Sequence, residues 1–213
     1  MDKFKIFPRV DGVDPNLTIL TQEGGYSITK RRDAAQIIRS MQNILHDTST
    51  MTIVDATACN GGDTLNFAMN FKRVRSIEIN PVNFDALEHN VKKVYKFTNV
   101  DLVNGDCTKV QLGKTDVLYL DPPWGGPGYR EQPGLIDLKL SDISVDIWLS
   151  NLLKEDDAPK HIFIKLPFNY DFNKLKNISF IKLDIAKIHK FYLAYIENGF
   201  VKTDPNNLQP SQC

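Results

Sequence analysis

Residues 51–63, MTIVDATACNGGD, carry the pattern that decides the fold. Residues 51–54 are largely apolar and end at Asp55, and the turn that follows contains Gly61 and Gly62. A short apolar run before such a turn predicts a buried strand that leads into a helix. The glycines let a ligand approach the backbone closely, although a strand–turn–helix with two glycines is often only a turn.

The same alternation continues on both sides of this segment. The sequence predicts helices over 30–46, 64–71, 81–94 and 142–154, and further strands over 74–79, 101–103, 116–120 and 162–164. In the helix over 81–94 the predicted buried apolar stripe consists of Phe84, Leu87, Val91 and Val94. Thr29 is expected to cap the first of these helices. Two final β-rich runs, 179–189 and 191–197, have little sequence between them and should pair antiparallel at one edge. The fold class is therefore α/β, a mostly parallel sheet with helices on both faces and an antiparallel edge.

The ends of the chain differ in composition from its middle. We expect an irregular N-terminal arm over residues 1–29, one domain over 30–202, and a polar tail over 203–213. Lys plus Arg and Asp plus Glu number 26 each in the 213 residues, so the formal net charge is zero. Proteins that grip long duplexes usually carry a basic excess, so this neutral chain is better suited to a nucleotide or a chain end.

Several other classes are disfavoured by composition. Cys59, Cys107 and Cys213 are far apart and lack the spacing of a disulfide framework or a zinc site, so we expect no metal. No apolar run approaches the ~20 residues of a membrane span. We expect an intracellular monomer, with cytoplasm or nucleus left open.

Acids follow four of the predicted strands: Asp55, Glu78, Asp106 and Asp121. Ligands of parallel sheets bind beyond the carboxyl ends of the strands, so these carboxylates should line one rim. Glu78 could accept hydrogen bonds from both hydroxyls of a ribose, and Asp106 from an adenine amino group. The plainer alternatives are a solvated acid before a helix and a turn aspartate.

Residues 121–127, DPPWGGP, form the second motif. Two prolines fix two φ angles and leave the carbonyls available as acceptors. An amino group could donate one hydrogen to Asp121 and one to the Pro122 carbonyl, which would aim its lone pair at a methyl donor. Trp124 offers a face on which a base stacks with about 1–3 kcal/mol, and a cationic base would gain about 0.5–2 kcal/mol more. The alternative is a rigid turn with Trp124 in the core.

With these motifs the chain resembles the trimethylguanosine synthase family, the RNA cap guanine-N2 methyltransferases. The resemblance rests on residues 23–29 (EGGYSIT), 55–63, Glu78, 105–106 and 122–127 (PPWGGP), with Tyr129 close behind. It implies a class I methyltransferase, Rossmann-like fold, S-adenosylmethionine as cofactor, and the 7-methylguanosine cap of an RNA as acceptor.

The resemblance also implies roles for individual residues. Asp121, Pro122 and Trp124 would form the catalytic corner. The substrate would contact Trp124, Pro127 and Tyr129, and to these we add Lys30 and Lys165 as candidates for the cap phosphates. The expected cofactor-binding residues are Thr29, Asp55, Ala56, Thr57, Asn60, Gly61, Asp63, Thr64, Glu78, Asp106 and Asp121.

Three features depart from the family pattern. Animal members have serine at the position of Asp121, and Asp-Pro-Pro is typical of amino methyltransferases that act on adenine or cytosine. The family usually has a phosphate-gripping arginine after the proline that follows the sixth strand, where this chain has Phe168 after Pro167. We therefore expect Lys165 or residues 30–32 (KRR) to bind the cap phosphates. The arm is also short, and the minimal domain resembles versions carried by large DNA viruses, which would act in the host cytoplasm.

In-line displacement at a sulfonium methyl needs alignment and desolvation rather than a strong base or a metal. We therefore expect no catalytic role for the four histidines. Two other functions remain open: an amino methyltransferase acting on adenine or cytosine in DNA or RNA, and a binding module for the cap or the cofactor that has no turnover.

Overall fold

The computed structural model describes residues 2–131 and 133–199, with the backbone but not the side chain of Arg130. Seven strands in this part of the chain form one sheet, and a separate short hairpin lies beside it. The strands are β1 (Thr52–Asp55), β2 (Arg73–Glu78), β3 (Val100–Asn104), β4 (Val117–Leu120), β5 (Lys139–Leu140), β6 (Ile143–Ser144), β7 (His161–Leu166), β8 (Phe180–Ile188) and β9 (Phe191–Asn198).

The order of the strands in the large sheet is β3-β2-β1-β4-β7-β9-β8. Strands β3, β2, β1, β4 and β7 are parallel, whereas β9 pairs antiparallel with both β7 and β8. This confirms the predicted mostly parallel sheet with an antiparallel edge. The two-stranded hairpin pairs β5 with β6.

Five α-helices within residues 2–131 and 133–199 connect the strands or precede them. They are α1 (Gln22–Ser27), α2 (Arg31–Leu45), α3 (Gly62–Asn70), α4 (Pro81–Glu88) and α5 (Val145–Leu152). A π-helical turn, His89–Val94, continues α4, so the predicted helix over 81–94 changes its hydrogen-bonding pattern halfway along. Short 3₁₀ turns cover Lys3–Lys5, Pro15–Leu17, Tyr129–Glu131 and Phe172–Asn177.

The core lies on both faces of the sheet because neighbouring residues of a strand point to opposite sides. On one face, Ile37 of α2 and Phe67 of α3 belong to the same apolar cluster as Tyr119 of β4. On the other face, Leu149 of α5 belongs to the same cluster as Leu118 of β4. Helices therefore cover both faces, as predicted.

Two expectations for the N-terminal part need correction. The arm predicted as irregular contains α1 and two 3₁₀ turns. Thr29 does not cap α2, because Lys30 occupies the cap position and makes no side-chain capping bond. The predicted tail, 203–213, and the end of the predicted domain lie outside the described residues.

Two further observations concern classes of site. None of the described helices is both long and apolar enough for a membrane span. Within the described ranges, His, Cys, Asp and Glu side chains do not gather in threes as a metal ion would require.

Candidate active site

The carboxyl ends of β1, β2, β3 and β4 meet at one edge of the sheet because these strands are parallel. Asp55 and Glu78 are the last residues of β1 and β2, and Asp121 directly follows β4. The structure thus brings the sequence-predicted acids to a common rim, and the turns after these strands form the candidate site.

Asp55 is buried at the base of this rim, where it is 1% exposed. Its Oδ2 accepts a hydrogen bond of 2.6 Å from Thr64 Oγ1, at the start of α3, and Thr64 Oγ1 lies 3.0 Å from Ser76 Oγ. Asp55 Oδ1 has no hydrogen-bond partner among the described residues. Burial raises the pKa of Asp55 to about 8, so ionising this carboxyl calls for a nearby positive charge.

The glycine turn between β1 and α3 is closed against its neighbours. Gly61 has a φ of +92°, and a Cβ there would lie 2.9 Å from Leu87 Cδ1. At Gly62 a Cβ would lie 2.5 Å from Ile28 Cγ1 in the arm. Ala56, before this turn, is buried and donates its N–H to Tyr119 O at 3.1 Å.

Glu78 ties this turn to the start of α4. Its Oε2 accepts the Cys59 N–H at 2.7 Å, and its Oε1 accepts the Asn80 N–H at 2.8 Å. Burial raises the pKa of Glu78, against the lowering effect of these two bonds. The Asn83 side chain is a further donor to this carboxylate. A carboxylate has about four acceptor positions, so room remains for a ribose hydroxyl.

Asp106 is more fully engaged than the sequence suggested. Its Oδ1 accepts from Thr108 N and Oγ1 at 2.9 and 2.7 Å, and its Oδ2 accepts from Ser141 Oγ at 2.8 Å and pairs with Lys109 Nζ at 3.2 Å. Burial acts to raise the pKa of Asp106, but the bonds from Thr108, Ser141 and Lys109 outweigh it, and the pKa falls to about 2. An adenine amino group would have to compete with these contacts.

Asp121 is held by two groups from neighbouring segments. Its N–H donates to Thr57 Oγ1 at 2.7 Å, and its Oδ2 accepts from Lys165 Nζ at 2.6 Å. Lys165 belongs to β7, the neighbour of β4, and is 5% exposed. Burial raises the pKa of Asp121 to about 6 in spite of the nearby ammonium. Burial acts to lower the pKa of Lys165, but the carboxylates of Asp121 and Asp63 outweigh it and the pKa is raised.

A chain of hydrogen bonds leads from this ion pair to α3. Lys165 Nζ donates to Thr29 Oγ1 at 2.8 Å, and Thr29 Oγ1 donates to Asp63 Oδ2 at 2.6 Å. Asp63 Oδ2 also accepts from Tyr119 OH at 3.0 Å, while Asp63 Oδ1 has no partner among the described residues. Asp63 and Asp121 thus both interact with Lys165, and Asp55 lies close enough to these two carboxyl groups to repel them. More carboxyl groups than ammonium groups meet here, so the site suits a ligand that carries positive charge.

Two expectations change with this network. Thr29 links the arm to Asp63 and Lys165 instead of capping α2. Lys165 was expected to bind a cap phosphate, but its ammonium is buried and committed to Asp121 and Thr29. A strongly desolvated ammonium beside a carboxylate is held by that carboxylate, so Lys165 is not free to bind a phosphate.

Trp124 lies half-buried at the corner after β4, in contact with both core clusters. Tyr129 packs edge-on against it, with ring centroids 5.2 Å apart and an interplanar angle of 72°. Lys165 Nζ lies over the indole, 5.3 Å from the ring centroid. Trp124 Nε1 is buried with no hydrogen-bond partner among the described residues. The indole is therefore a boundary residue beside the Asp121–Lys165 pair rather than an ordinary core side chain.

The remaining predicted substrate residues surround this corner. Pro122 is buried and Pro127 is exposed. The Gly125 and Gly126 backbones have φ values of +96° and +79°, which glycine adopts readily. Lys30 is exposed at the junction between the arm and α2.

A set of buried amides, which the sequence analysis missed, holds the arm on the site. Asn60 Oδ1 accepts from Thr21 N and Oγ1 at 2.9 and 3.0 Å. Glu23 Oε2 accepts from Asn83 Nδ2 at 2.8 Å, and Asn90 bonds to both the N–H and the carbonyl of Ile19. A signal was present, because Asn83 and Asn90 interrupt the apolar stripe predicted for residues 81–94.

This arm contact is tight. A Cβ on Gly24 of α1 would lie 1.8 Å from Asn60 Oδ1, whereas one on Gly25 would meet nothing within 4 Å. Asn60, expected as a cofactor residue, is thus also the residue on which α1 rests.

Solved structures of known methyltransferases share this fold. The T. thermophilus 16S rRNA N2 G1207 methyltransferase, solved with AdoMet and guanosine, superposes with a TM-score of 0.60 at 13% identity, covering 78% of this chain and 43% of that one. A SAM-dependent O-methyltransferase of Thermotoga maritima gives 0.58 at 14% identity, covering 81% and 66%. At these identities the likeness shows the class I methyltransferase fold alone.

Sequence relatives are more specific. Trimethylguanosine synthase of Saccharomyces cerevisiae is 25% identical over 206 residues, 93% of this chain and 62% of the yeast protein. The Schizosaccharomyces pombe enzyme of that name is 29% identical over 137 residues, covering 60% and 53%. An uncharacterised protein of Acanthamoeba polyphaga mimivirus is 36% identical over 146 residues, covering 65% and 56%.

The chain thus spans 53–62% of the length of these three relatives. The sequence profile of RNA cap guanine-N2 methyltransferases matches residues 50–204, more than half of the chain and the segment that contains Asp55, Asp121 and Trp124. The chain belongs to the RNA cap guanine-N2 methyltransferase family, which implies S-adenosylmethionine as its methyl donor.

Proposed function

We propose that this chain transfers a methyl group from S-adenosylmethionine to the exocyclic N2 amino group of 7-methylguanosine in an RNA cap. The observation that carries the proposal is the corner after β4, where the buried Asp121–Lys165 pair adjoins the half-buried Trp124. Methylation of a purine amine requires a hydrogen-bond acceptor for the amino group and a flat aromatic surface for the base. The family match covers the corner that offers both.

The charge of the site fits the cofactor. When bound, S-adenosylmethionine supplies a methyl group on a sulfonium cation, and its amino acid part carries an ammonium group. The carboxyl groups of Asp63 and Asp121 share the Lys165 ammonium, and Asp55 adds a third carboxyl group beside them. Oδ1 of both Asp55 and Asp63 lacks a partner among the described residues. The residues that we assign to the cofactor are Thr29, Asp55, Ala56, Thr57, Asn60, Gly61, Asp63, Thr64, Glu78, Asp106 and Asp121.

The acceptor would be held at the other side of the corner. Asp121 and the Pro122 carbonyl each accept one hydrogen of the amino group, which turns the nitrogen lone pair toward the methyl donor. Lys165 stabilises the ionised form of Asp121, the form that accepts such a bond. Trp124 and Tyr129 hold the purine, and a positively charged 7-methylguanine gains a cation–π term on the indole.

Two features set the alternatives. Asp-Pro-Pro also suits an adenine or cytosine amino group, so the nature of the base must be tested directly. A non-catalytic binding module would use the same residues but yield no product.

The similarity to a mimivirus protein supports a viral origin and action in host cytoplasm.

The test is methyl transfer from labelled S-adenosylmethionine to a panel of acceptors: 7-methylguanosine diphosphate, guanosine diphosphate, adenosine diphosphate and cytidine diphosphate. We expect labelling of the first and at least tenfold less of the others. Preferred labelling of adenosine or cytidine nucleotides would replace the proposal by the amino methyltransferase alternative. Heat of binding in titration calorimetry without any labelled product would favour the binding module.

A further inference from the structure

The tip of the β8–β9 hairpin lies at the same edge of the sheet as the candidate site. Because β7 is parallel to β4, its last residue, Leu166, lies at the same sheet edge as Asp121. Leu166 is paired with Tyr192 of β9, and Tyr192 is paired in turn with Lys187 of β8. From β4 to β8 there are three strand spacings of about 4.8 Å, so Lys187 lies about 14 Å from the Asp121 corner. That distance is beyond the guanine itself but within reach of the phosphates and nucleotides that follow it.

The tip of the β8–β9 hairpin contacts the start of α2. His189 Nδ1 lies 3.4 Å from Asp33 Oδ1, and the turn keeps His189 at a φ of +40°, in the left-handed region. The two side chains form an ion pair when the imidazole is protonated, and their contact places the hairpin tip beside the first turn of α2. Asp33 directly follows residues 30–32 (KRR), and the tip therefore brings Lys187 and Lys190 toward that basic segment.

An exposed aromatic ring accompanies these cations. Phe168, two residues after β7, is 44% exposed and packs edge-on against Tyr192 with centroids 5.1 Å apart. Lys187 Nζ lies 5.1 Å from the Phe168 ring centroid. Single-stranded nucleic acids are bound by aromatic rings that stack on bases next to cations that follow the phosphates.

We propose that the hairpin rim, defined as Phe168, Lys187, Lys190 and residues 30–32, binds the first nucleotides of the RNA that follow the cap. The inference rests on the proposed function, because it takes the cap guanine to lie at Trp124. Charge complementarity supports it: the whole chain is neutral, yet these cations gather at one edge, and their neighbour Asp33 is engaged with His189. The buried Lys165 cannot serve this purpose.

The test compares Lys187→Ala/Lys190→Ala with a control of equal charge, Lys72→Ala/Lys114→Ala. Lys72 precedes β2 and Lys114 precedes β4, so both exposed control lysines lie at the opposite edge of the sheet. KM is measured for 7-methylguanosine diphosphate and for a capped single-stranded RNA of about ten nucleotides. The affinity for fluorescent capped RNA is measured by anisotropy at several salt concentrations.

We expect the unmodified chain to have at least a tenfold lower KM for capped RNA than for the nucleotide, and the hairpin variant to lose most of this advantage. Its plot of log affinity against log salt should be shallower by about 1.4, which is two phosphate contacts at about 0.7 each. Phe168→Leu should weaken RNA binding about fivefold or more while keeping the salt slope.

Equal KM values of the unmodified chain for RNA and nucleotide would overturn the proposal, as would equal losses in the hairpin variant and the control. If the nucleotide is not methylated at all, the proposed function fails, but the anisotropy data still decide whether the rim binds RNA.

Discussion

Replacing Lys165 with methionine should shift the pH range in which the enzyme is active. Lys165 Nζ lies 2.6 Å from Asp121 Oδ2. Coulomb's law at this distance gives about 1.6 kcal/mol in bulk water and about 6 kcal/mol at an effective dielectric constant of 20, or roughly one to five pKa units. The pKa of Asp121, about 6 with the ammonium present, should therefore rise by at least about one unit without it.

The assay is kcat measured from pH 5 to pH 10 with 7-methylguanosine diphosphate. In the unmodified chain the rate should rise through pH 6 as Asp121 ionises, and in Lys165→Met the same rise should occur at a higher pH. The double variant Asp121→Ser/Lys165→Met is the control, because a serine hydroxyl does not titrate in this range and the rise should disappear. An unchanged rise in Lys165→Met, or its persistence in the double variant, would refute the role of this pair.

Stability provides an independent check. Removing one partner of a buried ion pair costs about 3–5 kcal/mol because the other charge is left uncompensated. In Lys165→Met, Asp121 would bind its proton more tightly folded than unfolded, so the loss in unfolding free energy should be smaller at pH 5 than at pH 8. The double variant removes both charges of the pair and leaves only Asp63 without the ammonium, so it should recover part of that loss.

Three further predictions concern neighbouring residues. Trp124→Ala should raise the KM for 7-methylguanosine diphosphate about tenfold or more, with less than a threefold change in the Kd of S-adenosylmethionine; equal losses of both would make Trp124 structural. The folded-state pKa of Asp55, about 8, is raised above its unfolded value, so this group should lower the unfolding free energy by up to about 1.4 kcal/mol per pH unit between pH 4 and pH 8. In urea denaturation Asp55→Asn should reduce the slope by this one-proton contribution, and an unchanged slope would contradict it. Gly24→Ala should destabilise the arm by about 1–3 kcal/mol and expose it to limited proteolysis, because the added Cβ would overlap Asn60 Oδ1. The control, Gly25→Ala, should leave the stability unchanged, since a Cβ there meets nothing within 4 Å. Similar digestion of the two variants would contradict the arm contact.

The strand pattern was accessible from the sequence because each strand is a short apolar run between turn signals. The seven strands of the large sheet lie within about two residues of their predicted positions. The edge where Asp55 and Asp121 meet followed from the parallel order alone. The fold and the position of the site could therefore be predicted from short sequence patterns.

The side-chain hydrogen-bond partners within the site could not be predicted from the sequence in the same way. Thr29 has the residue type and position of a helix cap, but Lys165, 136 residues away, provides a competing partner that no local rule anticipates. Lys165 itself could have been read differently, since a single lysine inside the apolar strand β7 needs a buried acid. For Asn83 and Asn90 the apolar stripe of the helix was predicted correctly, and the amides within it served the arm instead of the core.

The asparagines beneath the arm have a consequence for any shortened version of this protein. The Asn90 side chain accepts from the Ile19 N–H and donates to the Ile19 carbonyl, as the backbone of a neighbouring strand would. The Asn60 side chain accepts from the Thr21 N–H. A polypeptide that started at Lys30 would leave these amides facing the space of the lost segment, and each unmatched buried amide costs about 1–3 kcal/mol. Residues 19–23 are therefore better regarded as an outer layer of the domain that covers Asn60, Asn83 and Asn90.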